Sequence, residues 1–272
     1  MIDLHCHMLP SIDDGARDLD TALAMARLAV ADGITTTVCT PHIYPGLFEN
    51  TVPGIQDAVV DFRAALKAAE IPLEISYGAD IQVVPDLLQG LRAGTLPTLH
   101  NSRYFLFEPP HHVALPGMLD LLHNVIASGY VPIITHPERL SYVEDHYEQF
   151  LEAVSMGAWL QITGGALLGR FGHRVKAISE RFLAEGVVHL LASDGHNLKN
   201  RTPELSEARA AAALWVGEDE AQRLVHDRPR AILDDREPGA VSPPHVQPPS
   251  SNKQDGKARA SGFLGRLFGA AK

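Results

Sequence analysis

The sequence predicts an α/β barrel, and three features of the chain indicate this fold. Apolar, β-branched segments alternate with helical patterns along most of the chain, which favours parallel strands with helices outside them. Segments such as Val131-Pro132-Ile133-Ile134 are continuously apolar, as expected for strands buried on both faces. The length of 272 residues, with 45% hydrophobic and 21% charged residues, suits one barrel of this kind.

Seven strands and six helices follow one another in this pattern. The predicted strands cover residues 2–5, 35–40, 73–78, 104–108, 131–135, 158–163 and 187–193. The predicted helices cover residues 19–31, 57–69, 116–128, 147–156, 175–184 and 205–216. Both tryptophans, Trp159 and Trp215, are expected in the core. Strand and helix alternate from end to end, so the strands are expected to pair in parallel.

Metal-ligand side chains recur where the predicted strands end. Six of the seven strands end at or near such residues, which are His5, His7, His42, Asp80, Glu108, His136, Asp194 and His196. Residues two apart on an extended segment point to the same side, so His5 and His7 can bind one ion together. The carboxyl ends of barrel strands meet at one rim, and imidazole and carboxylate are ligands that Zn, Mn and Fe prefer. The sequence therefore predicts a polynuclear metal site at the rim.

Charge and cysteine content exclude several classes of protein. The net charge is −10, and residues 237–272 carry five basic and two acidic residues, so that segment is near +3 and the rest near −13. An acidic body argues against nucleic-acid binding, which depends on a basic surface. Cys6 and Cys39 both fall in predicted buried strands, which favours a reducing cytoplasm over a disulfide framework. The chain shows neither a signal peptide nor an apolar stretch of membrane-spanning length.

Two other hydrolase chemistries are not supported by the residues. A cysteine-dependent phosphatase needs an arginine six positions after its cysteine, but Cys6 is followed there by Ile12 and Cys39 by Pro45. A metal-dependent amidohydrolase often uses a carboxylated lysine at a strand end, and no lysine of this chain ends a predicted strand. Metal-assisted hydrolysis by histidine and carboxylate ligands remains.

The strand-end motifs resemble those of a known superfamily. The motifs are Asp3-x-His5-x-His7, Ile12-Asp13-Asp14-Gly15, Thr40-Pro41-His42, Gly78-x-Asp80, Phe107-Glu108, Thr135-His136-Pro137-Glu138-Arg139 and Ser193-Asp194-Gly195-His196. Over residues 1 to about 235 they resemble the PHP (polymerase and histidinol phosphatase) superfamily, and within it the bacterial CpsB/CapC manganese-dependent protein-tyrosine phosphatases. The resemblance implies the PHP fold, a distorted seven-stranded (β/α)7 TIM-like barrel.

The resemblance also implies a trinuclear site with nine ligands. Carried over position by position, the ligands are His5, His7, Asp14, His42, Asp80, Glu108, His136, Asp194 and His196. The ions implied are three divalent ions, with Mn first and Fe, Zn or Co as alternatives. Asp80 stands where the family usually has glutamate, which shortens the reach by one methylene. From the residues alone, a turn or helix-cap role is favoured for Asp14 over ligation, and Asp13 is a possible substitute as the ligand.

The implied reaction is hydrolysis of phosphotyrosine through attack by a metal-bound hydroxide. Three divalent ions against four carboxylates leave a local charge of about +2, which attracts a phosphate dianion. Arg139 and Arg201 match family positions that bind phosphate in a bidentate manner, with surface ion pairs as the alternative. His111 and His112 follow Glu108 and either line the substrate entrance or lie solvated in the loop. The implied substrate is a membrane-associated tyrosine autokinase of capsule or exopolysaccharide production.

Two other functions remain open from the sequence. One is hydrolysis of histidinol phosphate or another small phosphomonoester, because the metal site alone does not identify the leaving group. The other is a metal-binding regulatory protein with weak activity, if Asp80 impairs the site. Activity with each substrate, with and without Mn, separates these functions.

The C-terminal segment differs in composition from the body. A phosphatase domain is predicted over residues 1–236 and a Pro/Ser-rich linker over residues 237–260, because that composition cannot support a packed core. If residues 261–272 are helical, their apolar side chains share one face and form a short amphipathic helix, with basic residues nearby. Such a helix predicts weak contact with an anionic membrane, and hence a cytoplasmic protein that is peripheral at the inner face of the membrane. The alternative is a disordered end.

Overall fold

The computed structural model describes residues 1–245 and shows an α/β fold built on parallel strands. Within this range the strands are β1 (Ile2–Cys6), β2 (Thr36–Cys39), β3 (His42–Ile43), β4 (Glu74–Tyr77), β5 (Asp80–Gln82), β6 (Tyr104–Glu108), β7 (Val131–Thr135), β8 (Trp159–Thr163) and β9 (Leu190–Ala192). Every strand pair is parallel. The parallel pairing agrees with the strand and helix alternation of the sequence.

Helices connect the strands. They are α1 (Leu19–Ala31), α2 (Val52–Ala68), α3 (Leu87–Ala93), α4 (Met118–Ala127), α5 (Tyr147–Met156), α6 (Gly164–Leu167), α7 (His173–Ala184), α8 (Ser206–Val216), α9 (Glu218–Gln222) and α10 (Arg228–Leu233). Helix α1 begins where Asp18 accepts a hydrogen bond from the Thr21 amide at 2.8 Å, a side-chain N-cap. Helix α2 begins five residues before its predicted start, because Thr51 caps it and Pro53 suits the first turn.

Each of the seven predicted strands coincides with a strand of the structure, and two short strands outside the predicted ranges, β3 and β5, follow β2 and β4. The strands form two sheets, paired in the orders β1-β2-β4 and β3-β5-β6-β7-β8-β9. The chain passes from the first sheet to the second twice, from β2 to β3 and from β4 to β5. Pro41 lies between β2 and β3, where it cannot donate a backbone hydrogen bond. Gly78 lies between β4 and β5, where an added Cβ would lie 2.7 Å from Leu99. The curled parallel sheet is therefore divided into two hydrogen-bonded sheets.

Backbone contacts bring β1 beside the segment that follows β9. The Asp194 amide donates to the His5 carbonyl at 2.8 Å, and the His7 amide donates to the Gly195 carbonyl at 2.8 Å. Asp3 is fully buried and accepts from the Ser193 amide at 3.0 Å and from the Ser193 hydroxyl. These hydrogen bonds hold the end of β1, which carries His5 and His7, against the segment after β9, which carries Asp194 and His196.

The apolar core lies in two layers that leave one end of the sheet for polar side chains. The larger cluster packs the helices against the outside of the sheet, and the smaller one includes Tyr104, Leu106, Ile133 and Trp159. Because alternate strand residues share a face, Tyr104 and Leu106 point the same way as Glu108 at the end of β6. The smaller cluster therefore lies under the predicted metal ligands.

The expected burial of the two tryptophans is right for Trp159 and wrong for Trp215. Trp159 is 5% exposed, whereas Trp215 is 40% exposed. Helix α8 buries Ala208, Ala212 and Val216, which are spaced four residues apart. A residue directly before Val216 lies off that face, so the tryptophan faces solvent.

His189 is a buried histidine that makes the fold sensitive to acid. Its ring stacks on Trp159 with centroids 4.8 Å apart, and its Nδ1 accepts from the Leu160 amide at 3.2 Å. Burial, together with the charge of Arg228, lowers the pKa of His189 to about 3. Only the unfolded chain takes up a proton near pH 6.5, so the free energy of unfolding falls as the pH falls from 6.5 toward 3.

We expect His189→Gln to reduce this acid sensitivity. Each pKa unit corresponds to about 1.4 kcal/mol, so this one group should cost the wild type about 3 kcal/mol between pH 7 and pH 4.5. Urea unfolding of both metal-free proteins at the two pH values measures the difference. An equal loss of stability in both proteins would contradict the role of His189.

The first residues of the predicted linker lie against the body. Arg103 forms ion pairs with Asp235 and Glu237, and the buried Arg228 donates to the carbonyls of Ser242 at 2.9 Å and Pro243 at 2.8 Å. The domain boundary after residue 236 stays a prediction. The predicted helix over residues 261–272 lies outside the described residues. Between residues 1 and 245, no helix has both the length and the apolar composition of a membrane span.

Candidate metal centre

The predicted ligands come together at the carboxyl ends of the strands. Four groups of histidine and carboxylate atoms lie close enough to share a metal ion, and together they contain His5, His7, Asp14, His42, Asp80, Glu108, His111, His136 and His196. Asp194 lies in contact with His5, His7 and His196. The structure thus brings all nine predicted ligands to one place and adds His111.

The first cluster lies between β1, β5 and the end of β9. Asp194 Oδ1 is 3.4 Å from Nε2 of both His5 and His7, and the two Nε2 atoms are 3.1 Å apart. Asp80 Oδ2 approaches His5 Nε2 to 3.3 Å. Donor atoms that share a metal ion at about 2.1 Å in tetrahedral geometry lie roughly 3.4 Å from one another. The spacing therefore fits one ion held by these four side chains.

The second cluster lies between β3 and the loops after β1 and β9. Asp14 Oδ1 is 3.3 Å from His196 Nε2 and 3.6 Å from His42 Nε2. The His7 ring lies beside the His196 ring, with centroids 3.9 Å apart. Asp14, rather than Asp13, faces the ring nitrogens of His42 and His196.

The third cluster is built by β5, β6 and the residue after β7. Glu108 Oε2 is 3.3 Å from His42 Nδ1, and Glu108 Oε1 is 3.8 Å from His136 Nε2. Asp80 Oδ2 lies 3.7 Å from His136 Nε2 and 3.6 Å from His42 Nδ1. The same Asp80 oxygen therefore faces both the first and the third clusters.

Several buried polar atoms at this centre have no hydrogen-bond partner. They are both oxygens of Asp80, Glu108 Oε2, His42 Nδ1, His136 Nδ1 and His196 Nε2. Leaving such atoms without a partner costs about 1–3 kcal/mol each, and the cost is greater for charged groups. Divalent cations would satisfy the carboxylate oxygens and the imidazole nitrogens that face them, so the residues present fit a metal centre.

Asp13 and Gln161 orient the first histidines. Asp13 Oδ2 lies 2.7 Å from His7 Nδ1 and accepts from the His42 amide at 3.2 Å. Gln161 Oε1 lies 2.7 Å from His5 Nδ1. In each pair the bonded Nδ1 leaves Nε2 facing the cluster, which is how ligating histidines are commonly fixed. The sequence offered a signal for Gln161, since it is the one polar residue within Trp159-Leu160-Gln161-Ile162.

Two of the predicted ligands have a backbone conformation that residues other than glycine rarely adopt. His136 has φ 37° and Asp194 has φ 50°, both in the left-handed region. Such residues each cost roughly 1–3 kcal/mol and tend to cluster at functional sites. His136 lies directly after β7 and Asp194 lies two residues after β9, where the turned backbone aims each side chain across the end of the sheet.

Carboxylates hold two of the histidines in their charged form in the metal-free protein. Burial opposes the charged form, but Asp80 and Asp194 outweigh it and raise the pKa of His5 to about 9. Glu108 and Asp80 likewise raise the pKa of His42 to about 10 against the effect of burial. A metal ion must displace these protons, so metal affinity should rise with pH.

The other histidines of the centre include two that are held neutral. Burial and the charge of Arg139 lower the pKa of His136 to about 4. Burial and the neighbouring His7 lower the pKa of His196 to about 4. Neutral imidazole is the form that binds metals, so both side chains are ready to ligate at neutral pH.

Two arginines lie beside Asp194 at the bottom of an open cavity. Arg201 Nη2 donates to Asp194 Oδ2 at 2.6 Å, and Arg139 Nη1 donates to the same oxygen. The Arg139 guanidinium also lies over the Phe171 ring, 4.7 Å from its centroid. Burial opposes ionisation, but the two arginines hold the pKa of Asp194 well below its usual range. The centre thus presents positive groups beside its ligands.

The cavity has a volume of about 400 Å³ and changes character from bottom to mouth. Metal-ligand residues and the two arginines line its floor, while Tyr44, Leu47, Phe48 and Val113 line its rim. Leu47 and Val113 are 62% and 66% exposed. An anionic group with an apolar body would match this arrangement.

Comparisons with a family model and with individual proteins point to the same family. Residues 1–234 match the family model described as capsular polysaccharide synthesis, CpsB/CapC. Tyrosine-protein phosphatase YwqE of Bacillus subtilis is 36% identical over 208 residues, which are 76% of this chain and 82% of YwqE. Tyrosine-protein phosphatase CpsB of Streptococcus pneumoniae is 32% identical over 241 residues, which are 87% of this chain and 99% of CpsB.

A solved structure agrees with the sequence comparisons. It comes from work on YwqE from Bacillus subtilis and CpsB from Streptococcus pneumoniae, which are described as metal-dependent tyrosine phosphatases. The match has a TM-score of 0.85 and 32% identity, and it covers 91% of this chain and all of the other.

Proposed function

This chain belongs to the CpsB/CapC family of capsular polysaccharide synthesis, and from that premise we propose that it is a metal-dependent protein-tyrosine phosphatase. One observation carries the proposal. Histidine and carboxylate side chains come together beside Arg139 and Arg201, on a fold like that of metal-dependent tyrosine phosphatases. Several of these side chains have buried atoms without a hydrogen-bond partner. The enzyme class is therefore a phosphoric monoester hydrolase.

We further propose a trinuclear centre in which each cluster of ligands holds one divalent ion. The first ion would lie among His5, His7, Asp80 and Asp194, the second among Asp14, His42 and His196, and the third among Asp80, Glu108 and His136. Divalent ions would supply Lewis acidity, lower the pKa of a coordinated water to about 7 and neutralise phosphoryl charge. Mn is the first candidate, and Fe, Zn or Co would fit the same ligand types.

Arg139 and Arg201 are the catalytic residues in this proposal. Their guanidinium groups lie on the floor of the cavity and carry fixed positive charge beside Asp194. A planar guanidinium suits bidentate binding of phosphate oxygens, so the pair would orient the phosphoryl group. Phosphate bound there would share the arginines with Asp194.

The apolar rim favours phosphotyrosine over a small phosphomonoester. Tyr44, Leu47, Phe48 and Val113 stand above the charged floor, where the ring of a phosphotyrosine would lie. Aromatic rings bury a large apolar area, so contact with this rim would contribute to substrate binding. Histidinol phosphate has a polar and charged body that gains less from such a rim.

We also propose a strand count for the fold, a substrate protein and a cellular location. We treat β2 with β3, and β4 with β5, as single interrupted strands, which gives a distorted (β/α)7 barrel. The substrate protein would be a membrane-associated tyrosine autokinase, and the phosphatase would act in the cytoplasm at the inner face of the membrane. Binding of residues 261–272 to anionic lipid would hold it there.

The proposal is tested with purified full-length protein, stripped of metal by a chelator and then supplied with Mn²⁺. We expect phosphate release from a phosphotyrosine peptide to rise about 10³-fold on adding Mn²⁺, because metal ions contribute several kcal/mol to such a reaction. The matched substrates are the same peptide carrying phosphoserine, and histidinol phosphate. Both should be hydrolysed more slowly than the phosphotyrosine peptide.

The other results separate the competing functions. Faster Mn-dependent hydrolysis of histidinol phosphate would assign the small phosphomonoester function instead. Metal binding without release of phosphate from any of the substrates would identify a metal-binding regulatory protein and overturn the enzyme.

A further inference from the structure

His111 lies at the metal centre although it is outside the nine ligands already assigned. Its Nε2 is 3.4 Å from Glu108 Oε1, and its ring centroid is 5.0 Å from that of His136. Glu108, His111 and His136 each offer a donor atom, and the three atoms lie within 4.8 Å of one another. The side chain is 31% exposed, so it reaches the centre from the mouth of the cavity.

The backbone around His111 is held in place. Pro109 and Pro110 come directly before it, and each proline fixes its own φ angle. The His111 carbonyl accepts from the Ser141 amide at 3.0 Å, and the Ser141 carbonyl accepts from Arg174 at 3.2 Å. The loop is therefore tied to the segment after His136, and the imidazole is presented from a fixed point.

The distance between His111 and Glu108 fits a shared ion better than a direct hydrogen bond. Hydrogen bonds from nitrogen to oxygen are usually 2.7–3.2 Å long, and charge-assisted ones are shorter still. The observed 3.4 Å is close to the spacing of about 3.4 Å between two donors on one tetrahedral ion. Glu108 Oε1 faces both His111 and His136, so one ion could contact all three side chains.

The third cluster also has reason to need another ligand. Its remaining carboxylate, Asp80, faces His5 and His136 with the same oxygen, Oδ2. Asp80 must therefore be shared with the first cluster, and His42 faces the second cluster with its other ring nitrogen, which leaves Glu108 and His136 as the ligands that belong to the third alone. Zn and related ions take at least four ligands, so an imidazole from His111 would add to an otherwise sparse set.

We propose that His111 is a direct protein ligand of the ion held by Glu108 and His136. The inference rests on the proposed metal-dependent function and adds one residue to its centre. His112, the next residue, is exposed and is absent from every donor cluster found in residues 1–245. It provides a matched control on the same loop.

The first experiment measures metal binding rather than turnover. Full-length wild type, His111→Ala and His112→Ala are loaded with Co²⁺ and dialysed, and bound metal per chain and affinity are measured by elemental analysis and chelator competition. We expect His111→Ala to bind the most weakly held ion at least about tenfold less tightly than wild type. His112→Ala should match wild type in both measurements.

A second measurement tests for direct contact with the ion. His111 is 31% exposed at the mouth of the cavity, so free imidazole can enter the space left in His111→Ala. We expect added imidazole to restore the Co²⁺ affinity of His111→Ala toward the wild-type value and to leave His112→Ala unchanged. A purely structural role of His111 would give no such rescue.

The outcomes distinguish this inference from the proposed function. Unchanged metal affinity in His111→Ala, or a reduced affinity that imidazole does not restore, would overturn the role of His111, while Mn-dependent phosphatase activity of the wild type would still stand. Failure of the wild type to bind metal at all would overturn both.

Discussion

Asp194→Asn is expected to reduce phosphotyrosine hydrolysis by about 10³-fold or more, because metal ions and their fixed charges contribute several kcal/mol to such reactions. Asp194 Oδ1 faces His5 and His7, and Asp194 Oδ2 accepts from Arg201 and Arg139. The asparagine would remove the charge that, in the proposed centre, binds a metal ion on one side and positions two guanidinium groups on the other.

Metal content and folding separate this effect from general damage. The variant should retain about one ion fewer per chain than wild type, because one coordinating carboxylate is lost. Its circular dichroism should be unchanged, since the asparagine has almost the same shape. Asp219→Asn is the matched control, because Asp219 is exposed in α9 and away from the donor clusters. Wild-type metal content and activity in Asp194→Asn would contradict the proposed centre.

Gly15→Ala is expected to damage the metal centre even though Gly15 binds nothing. A Cβ at Gly15 would lie 2.0 Å from the His7 carbonyl oxygen and 2.5 Å from the His7 Cβ. Neither atom can move without moving His7, and the Gly15 amide also donates to Asp13 at 2.9 Å. The loop must shift away, and with it Asp13, which orients His7, and Asp14, which faces His196.

The expected cost of Gly15→Ala has two parts. Overpacking of this kind destabilises a protein by about 1–3 kcal/mol, which chemical denaturation of the metal-free protein measures. Displacement of Asp13 and Asp14 should weaken metal binding by about 10–100-fold, which chelator competition measures. Gly239→Ala is the control, because a Cβ there would meet no atom within 4 Å. Equal metal affinity in the two variants would show that the loop tolerates the added methyl group.

Much of the fold followed from local patterns. The ranges of α1 and α5 agree with the helices predicted from apolar spacing, and β6 and β7 agree with the predicted strands. Shorter elements were missed, among them α3, α6, α9 and α10, because four to seven residues are too few to show a helical period. The strands β3 and β5, which begin after Pro41 and Gly78, were also missed, because two or three residues are too few to show strand alternation.

The candidate centre was predictable in its residue types but not in its contacts. Strand alternation put His5 and His7 on one side, and the structure has their Nε2 atoms 3.1 Å apart. The choice between Asp13 and Asp14 depended on how the loop folds back over His7. Gln161 and Glu138 were not assigned roles, although Gln161 contacts His5 and Glu138 accepts from the Thr163 amide at 2.9 Å.

The sequence by itself determined the class of fold and the kind of site. Alternating apolar strands and helices require a parallel sheet, and histidines and carboxylates at the strand ends must then meet at one edge. Only the tertiary structure decided which donor atoms face each other, that Asp80 offers one oxygen to two clusters, and that His111 reaches Glu108. The reason is physical. The side of the sheet to which a strand residue points follows from alternation along the strand itself. The position of a loop side chain depends on contacts between residues far apart in the chain.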